Sequence, residues 1–358
     1  MNNRLNWLNN IASKKIKFNL GAGSPPLDLY PDFNPGSLFG IETVFSSDKS
    51  INYHPTAGFI KNAAVKVLEE NEGLCYDAEN IIITNGVQEA IALTVACFRK
   101  KTIACIDPSY PGLEDAAIAF GCKLVKLPID NWLNSLEQLS EGSLLYLSAD
   151  FSNPLGNSLS LDERDQLTKI AAKNKFYIFD DATYRPFNLD KNLPALITLN
   201  SNYVIHAISF SKILAPGLRT AFIYLPGALL PSFVEHKSNL SLNNSGITQR
   251  IVEKWLEENN FHLSAHLYKA KKRPKLNRKV VENHGIIYNG GFFCNLEIDQ
   301  KADFAFCEAL LKKEQIAVIP MSVFSDNPQF DKQVRLSLSN IEHTELEQAL
   351  SIIKNFIP

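Results

Sequence analysis

The 358-residue sequence predicts an α/β fold: a large domain with a mostly parallel, seven-stranded sheet between helices, plus a smaller α+β domain. Three observations predict it. Seven short, nearly continuous apolar runs fall between about residues 80 and 225, the signature of strands buried on both faces. Helix-like stretches separate several of these runs, and alternating strands and helices build a layered, mostly parallel sheet. Beyond about Pro231 the pattern changes to longer helices mixed with short strands.

Residues 1–40, rich in proline and glycine, read as an N-terminal arm contributing to the small domain. Residues 41–245 read as the large domain, and 246–358 as the small C-terminal α+β domain. The seven runs are Ile81–Thr84, Ile103–Ile106, Leu124–Leu127, Leu144–Leu147, Phe176–Phe179, Val204–Ile208 and Ala221–Leu225. Helices are expected over Gln88–Phe98, Gly112–Phe120 and Leu161–Lys173, with Asp162 as a cap of the last. A long helical pattern, Thr248–Glu282, has weak breaks near Asn259 and Pro274. A strand over Gly291–Ile298, a helix over Ala302–Lys313, short strands over Ala317–Ile319 and Val334–Leu338, and a helix over Glu342–Phe356 complete the chain.

Composition excludes several classes. Hydrophobic residues are 45% and charged residues 21%, which argues against disordered and fibrous chains. Lys and Arg number 36 against 38 Asp and Glu, so a net charge of −2 gives no pull toward nucleic acid or anionic membrane. The basic run Lys269–Lys275 reads accordingly as a solvated helix face. No apolar run approaches the roughly 18–20 residues of a membrane span. Residues 1–18 carry Arg4, Lys14, Lys15 and Lys17 without an apolar segment, so a secretory signal is not expected. Six scattered cysteines without a C-x-x-C pair read as reduced thiols in a cytoplasmic protein. His262 and His266 have i, i+4 spacing, but Leu263 stands where a metalloprotease helix needs Glu, so no metal is expected. Gly21-Ala22-Gly23 lacks the third glycine and preceding strand of a dinucleotide loop.

Open parallel sheets bind ligands beyond the carboxyl ends of their strands. The residues just beyond each run are therefore informative. Asn85-Gly86-Val87-Gln88 opens a helix, whose free N–H groups and dipole favour an anion such as phosphate. Ser209, Ser211 and Arg219 add hydroxyls and a guanidinium suited to the same group. Tyr110 offers an aromatic face, Asn153 an amide, Tyr184 a phenol, Asp181 a carboxylate and Lys212 an amine nucleophile. A phosphorylated, aromatic, carbonyl-bearing cofactor would use all of them.

These segments resemble the motifs of fold-type I pyridoxal-phosphate enzymes, specifically the class I/II aminotransferase family. Ser209-Phe210-Ser211-Lys212 with Gly217-Leu218-Arg219 resembles the family's S-x-S-K…G-x-R. Asn153-Pro154-x-Gly156 resembles N-P-x-G, and Asp181-Ala182-Thr183-Tyr184 resembles D-x-x-Y. Tyr53-His54-Pro55-x-x-Gly58 resembles Y-x-P-x-x-G, Arg335-Leu336-Ser337 resembles R-[LI]-S, and Asn19–Pro25 resembles the N-terminal glycine-and-proline segment. The motifs stand in the family's order over residues 19–338.

The resemblance implies pyridoxal 5'-phosphate as cofactor of the large domain. It implies that Lys212 forms the Schiff base and later shuttles a proton, and that Asp181 rather than Asp180 pairs with the pyridine nitrogen. Asn153 and Tyr184 would bond the cofactor's phenolic oxygen, and Tyr110 would stack on its ring. Gly86, Val87, Gln88, Ser209, Ser211 and Arg219 would hold the phosphate side. Arg335 would grip the substrate carboxylate, with Asn153, Gly23 and His54 also near substrate. Tyr53 would reach the neighbouring active site of a homodimer. The implied activity is transfer of an amino group from an L-amino acid to a keto acid. The alternative is a lyase, cyclase or oxidase acting on an amino-acid side chain, which the same scaffold hosts; Phe59-Ile60-Lys61 in place of a Leu-Arg pair, and His54, motivate it. A third reading, an effector-binding domain of a regulator, would need a helix-turn-helix module, for which the roughly 18 residues before the first motif are too few.

Overall fold

The computed structural model describes residues 16–25, 29–30, 51–190 and 192–357. The short strand β1 (Phe18–Asn19) comes first. The large sheet then takes β2 (Ile81–Thr84), β3 (Ile103–Asp107), β4 (Leu124–Pro128), β5 (Leu144–Leu147), β6 (Tyr177–Asp181), β7 (Val204–Ser209) and β8 (Ala221–Tyr224). All seven expected runs are strands, within one or two residues at their ends. Their order is β2-β8-β7-β6-β5-β3-β4, and β8 alone runs against its neighbours.

Alternation explains the continuous apolar runs. Ile82, Leu144, Tyr146 and Phe179 face one hydrophobic layer, with the helix Val87–Cys97, Leu113 and Phe233. Ile81, Ile83, Leu145, Leu147 and Ile178 face the other, with the helices Lys61–Glu72 and Leu161–Asn174. Side chains two apart share a face, so a strand covered on both sides must be apolar at every position.

The rest of the chain adds β9 (Phe293–Glu297), β10 (Ile316–Ala317), β11 (Ile319–Pro320) and β12 (Gln333–Ser337). β11, β12 and β9 form an antiparallel sheet, while β1 pairs in parallel with β10. Phe18 and Leu20 share a hydrophobic cluster with Leu296, Phe306, Leu336 and Leu350. Segments far apart in the chain thus close one core.

Three local expectations differ. Ser160, not Asp162, caps the helix Leu161–Asn174: its hydroxyl accepts from the Glu163 amide while the Glu163 carboxylate accepts from Ser160 N–H. Asp162 sits inside the first turn, where its charge still favours the helix N-terminus. Pro274 lies within the helix Ser264–Asn283 rather than breaking it; Leu267, Ala270, Pro274 and Asn277 are buried, and that packing outweighs the lost hydrogen bond. The helices Lys61–Glu72 and Leu230–Ser241 are not among the expected elements, although Ala63, Ala64, Val67 and Leu68 of the first are buried at helical spacing.

Candidate active site

A cavity of about 320 Å³ opens at the carboxyl ends of the parallel strands. Its walls include Gly23, Val87, Gln88, Tyr110, Asn153, Asp181, Tyr184, Ser209, Ser211, Lys212, Arg219 and Arg335. The residues singled out from separate segments thus meet in one place. Most of them follow or end a strand, where the backbone leaves the sheet and its side chains face outward.

One end of the cavity is built for an anion. Gly86 caps the helix Val87–Cys97 with φ 76°, a left-handed conformation that glycine adopts without strain. A Cβ at Gly86 would lie 2.6 Å from Arg219 Nη2, so the missing side chain makes room for the guanidinium. Arg219 donates to Ser211 Oγ at 3.1 Å and to the Asn85 carbonyl at 3.2 Å. Backbone N–H groups at a helix start and a guanidinium beside them form a phosphate cradle.

At the centre, Lys212 donates from Nζ to the Gly23 carbonyl at 2.6 Å. Burial, together with the Arg219 and Arg335 cations, lowers its pKa from 10.5 to about 8. Asp181 lies at the end of β6; its Oδ2 accepts from Tyr146 Oη at 2.8 Å and its Oδ1 from Thr183 N–H at 3.2 Å. Burial pushes its carboxyl above the ordinary range, although these donors pull the other way. Such a carboxylate gains from a cationic partner. Adjacent Asp180 lies on the opposite face of the strand, 3.0 Å from His206 Nδ1, and accepts from the Ala149 amide. Burial raises its carboxyl, but His206 and that amide more than offset it. Asp180 does not line the cavity, and Asp181 does.

Arg335 closes the other side. It is 2% exposed, lies over the Phe293 ring at 4.1 Å, and donates to Asn153 Oδ1 at 2.8 Å and the Gly21 carbonyl at 2.7 Å. Its Nε–H is buried without a partner, a donor awaiting an acceptor. Burial lowers its pKa to about 10, which leaves it a cation. Lys212, Arg219 and Arg335 against Asp181 give the lining a positive excess that suits phosphate and carboxylate groups.

Several contributors escape the sequence reading. Tyr146 bonds Asp181 from the neighbouring strand; its place in an apolar run hides it, though strand alternation puts it on the Phe179 side. Gly21 acts through its carbonyl, which leaves no residue-type signal. A buried ion network of Arg164, Asp150, Arg185 and Glu72 underlies the site. Asp150 precedes the Asn153 turn and Arg185 follows Tyr184, so this network ties two site loops together. Gly156 ends that turn at φ 73°, where a Cβ would lie 2.1 Å from the Phe293 carbonyl.

Tyr53 and His54 lie outside this lining. Tyr53 is 88% exposed. His54 is engaged with protein: Nε2 is 2.8 Å from the Asn244 carbonyl and 3.1 Å from Gln249 Nε2, and Nδ1 is 3.0 Å from the Pro55 carbonyl. His262 pairs with Glu70, and His266 donates to the Ile213 carbonyl at 2.7 Å. Among the described residues no helix is long and apolar enough to cross a membrane.

Residues 15–353 match the profile of the family described as aminotransferase class I and II. The uncharacterised HTH-type transcriptional regulator YdeF of Bacillus subtilis is 28% identical over 310 residues, covering 83% of this chain and 67% of that protein. The (S)-3,5-dihydroxyphenylglycine transaminase of Amycolatopsis orientalis is 26% identical over 326 residues, covering 80% and 73%. LysN, the α-aminoadipate aminotransferase of Thermus thermophilus, solved with N-(5'-phosphopyridoxyl)-L-leucine, superposes with a TM-score of 0.84 at 22% identity, covering 97% and 93%.

Proposed function

The chain belongs to the class I and II aminotransferase family, and from that premise we propose that it transfers the amino group of an L-amino acid to a keto acid with pyridoxal 5'-phosphate held in this cavity. One observation carries the reading: the Lys212 amine, the Asp181 carboxylate and the Arg335 guanidinium face a single cavity next to the Gly86 helix start. The donor set fits the cofactor. The cradle that a Cβ at Gly86 would fill takes a phosphate, buried Asp181 takes a pyridinium N–H, and Asn153 and Tyr184 offer polar groups to a phenolic oxygen.

When bound, the cofactor supplies an aldehyde for amine exchange and an electron-drawing ring. The protein supplies the rest. Asp181 holds a proton at the ring nitrogen, and Tyr146 and Thr183 keep its oxygens aimed. Arg335 binds the substrate α-carboxylate through donors that include its unpaired Nε–H, fixing which α-carbon bond is broken. Lys212, with a pKa of about 8, has a substantial neutral fraction near physiological pH and moves a proton at the α-carbon. Tyr110, which lines the cavity, would cover the ring. His54, bonded to the backbone of its own and a distant loop, braces the Tyr53 segment rather than acting on substrate. The exposure of Tyr53 supports a homodimer in which it reaches the neighbouring cavity. Six unpaired thiols support a cytoplasmic protein. The site supports an enzyme, although relatives such as YdeF are named as regulators.

The test loads the purified protein with pyridoxal phosphate and adds single amino acids without a keto acid. We expect one equivalent of keto acid per site, pyridoxamine phosphate on denaturation, and neither with Lys212→Ala. Repeated turnover to an eliminated, cyclised or oxidised product would overturn transamination. Failure to take up pyridoxal phosphate at all would overturn the cofactor assignment.

A further inference from the structure

Glu89 places a carboxylate in the first turn of the helix whose start forms the anion cradle. By charge alone it works against a phosphate there. Yet the structure invests heavily in keeping it ionised. It accepts from the Asn85 backbone N–H at 2.5 Å, from Ser241 Oγ at 2.6 Å and from Asn244 Nδ2 at 3.2 Å. Lys237 Nζ lies 3.4 Å away, on a side chain with 0% exposure. Burial raises the Glu89 carboxyl, but the Lys237 cation and the three donors bring it below its ordinary range. A multiply bonded ion pair whose lysine is fully buried and whose glutamate is largely so, away from the reacting groups, needs a reason beyond stability, since such pairs often stabilise less than apolar replacements.

The geometry points to the reason. Asn85 is clamped at both ends of its backbone: its N–H binds Glu89, and its carbonyl accepts from Arg219 Nη2 at 3.2 Å. Arg219 in turn holds Ser211. We propose that Glu89 is a positioning residue for phosphate binding: it fixes the Asn85–Gly86 turn, and through Asn85 the Arg219 guanidinium, in the phosphate-ready arrangement. The same carboxylate holds Asn244, whose carbonyl meets His54 Nε2 at 2.8 Å, so the cradle and the segment bearing Tyr53 share one anchor. This inference rests on the pyridoxal phosphate reading.

Charge and positioning predict opposite signs, and that makes the idea testable. Glu89→Gln removes a negative charge beside the cradle and leaves the Lys237 cation unopposed. Electrostatics alone would tighten binding of a phosphate. Positioning predicts weaker binding, by about tenfold, from a loosened turn. Affinities of the wild type and the variant are measured by spectroscopic titration with pyridoxal phosphate and, separately, with pyridoxal, which lacks the phosphate. The expected result is weaker pyridoxal phosphate binding with pyridoxal affinity unchanged. Ser241→Ala, which removes one donor to Glu89, is expected to shift in the same direction by about threefold and decides the matter if Glu89→Gln does not fold. Unchanged or tighter pyridoxal phosphate binding, or an equal loss for pyridoxal, would overturn the proposal. If the wild type binds neither compound, the cofactor reading itself falls, and this inference with it.

Discussion

Replacing Lys212 with methionine is expected to make the cofactor-free protein more stable at neutral pH, although it destroys the proposed activity. The lysine is held in a cavity beside two guanidinium groups, and its pKa is lowered from 10.5 to about 8 by burial and by Arg219 and Arg335. The folded state therefore binds fewer protons than the unfolded chain between pH 8 and 10.5, and wild-type stability rises with pH across that window. Below pH 8 the lysine costs its full amount. At 1.36 kcal/mol per tenfold change in proton affinity, that cost is at most about 3 kcal/mol. Methionine fills a similar volume without a charge but gives up the 2.6 Å hydrogen bond to the Gly23 carbonyl, for which about 1 kcal/mol is subtracted. The net expectation at pH 7 is a gain of about 2 kcal/mol for Lys212→Met. The gain should shrink steadily above pH 8, pass through zero at about pH 10, and become a loss approaching about 1 kcal/mol above pH 10.5, where the lost hydrogen bond alone remains. Urea unfolding of both proteins without cofactor, at pH 7 and at about pH 10.5, measures it. A methionine variant that is less stable at pH 7, or a stability difference identical at the two pH values, would refute the electrostatic account of Lys212.

Three further outcomes are expected. Arg335→Gln removes a guanidinium that is fixed between Asn153, Gly21 and Phe293; with one or two charge-assisted bonds to substrate lost, kcat/KM for the reacting amino acid should fall by about 10²–10⁴, read by steady-state kinetics. Gly86→Ala forces a side chain to φ 76° and against Arg219 Nη2; pyridoxal phosphate affinity should fall by about tenfold or more in an equilibrium titration, while stability without cofactor drops by only about 1–2 kcal/mol. Asp150→Asn strips the anion shared by Arg164 and Arg185, leaving buried guanidinium charge poorly compensated; a loss of about 3–5 kcal/mol is expected by denaturant unfolding.

The sheet is legible because its strands are covered on both faces, and covering both faces forces a recognisable apolar run such as Ile81–Thr84 or Val204–Ser209. The helices Lys61–Glu72 and Leu230–Ser241 stand out less, because a narrow apolar stripe such as Ala63, Ala64, Val67 and Leu68 is interrupted by polar residues and makes no continuous run. The site divides in the same way. Residues whose chemistry is unusual for their position, such as Lys212 and Arg219 after a buried strand or Asp181 at the end of another, announce themselves. Tyr146 does not, because an aromatic residue in a buried strand is ordinary until the neighbouring strand brings Asp181 within 2.8 Å.

Alone, the sequence determined the layer architecture and singled out the polar side chains that line the cavity, since both arise from local patterning and from side-chain chemistry placed at strand ends. It also carried the family resemblance. Only the tertiary structure decided that backbone carbonyls of Gly21 and Gly23 hold Arg335 and Lys212, that His54 is engaged in backbone contacts, and that Glu89 and Lys237 stand behind the anion cradle. Those facts depend on distances between segments up to 314 positions apart in the chain, and contact across such separations is set by how the layers pack, which no local pattern encodes.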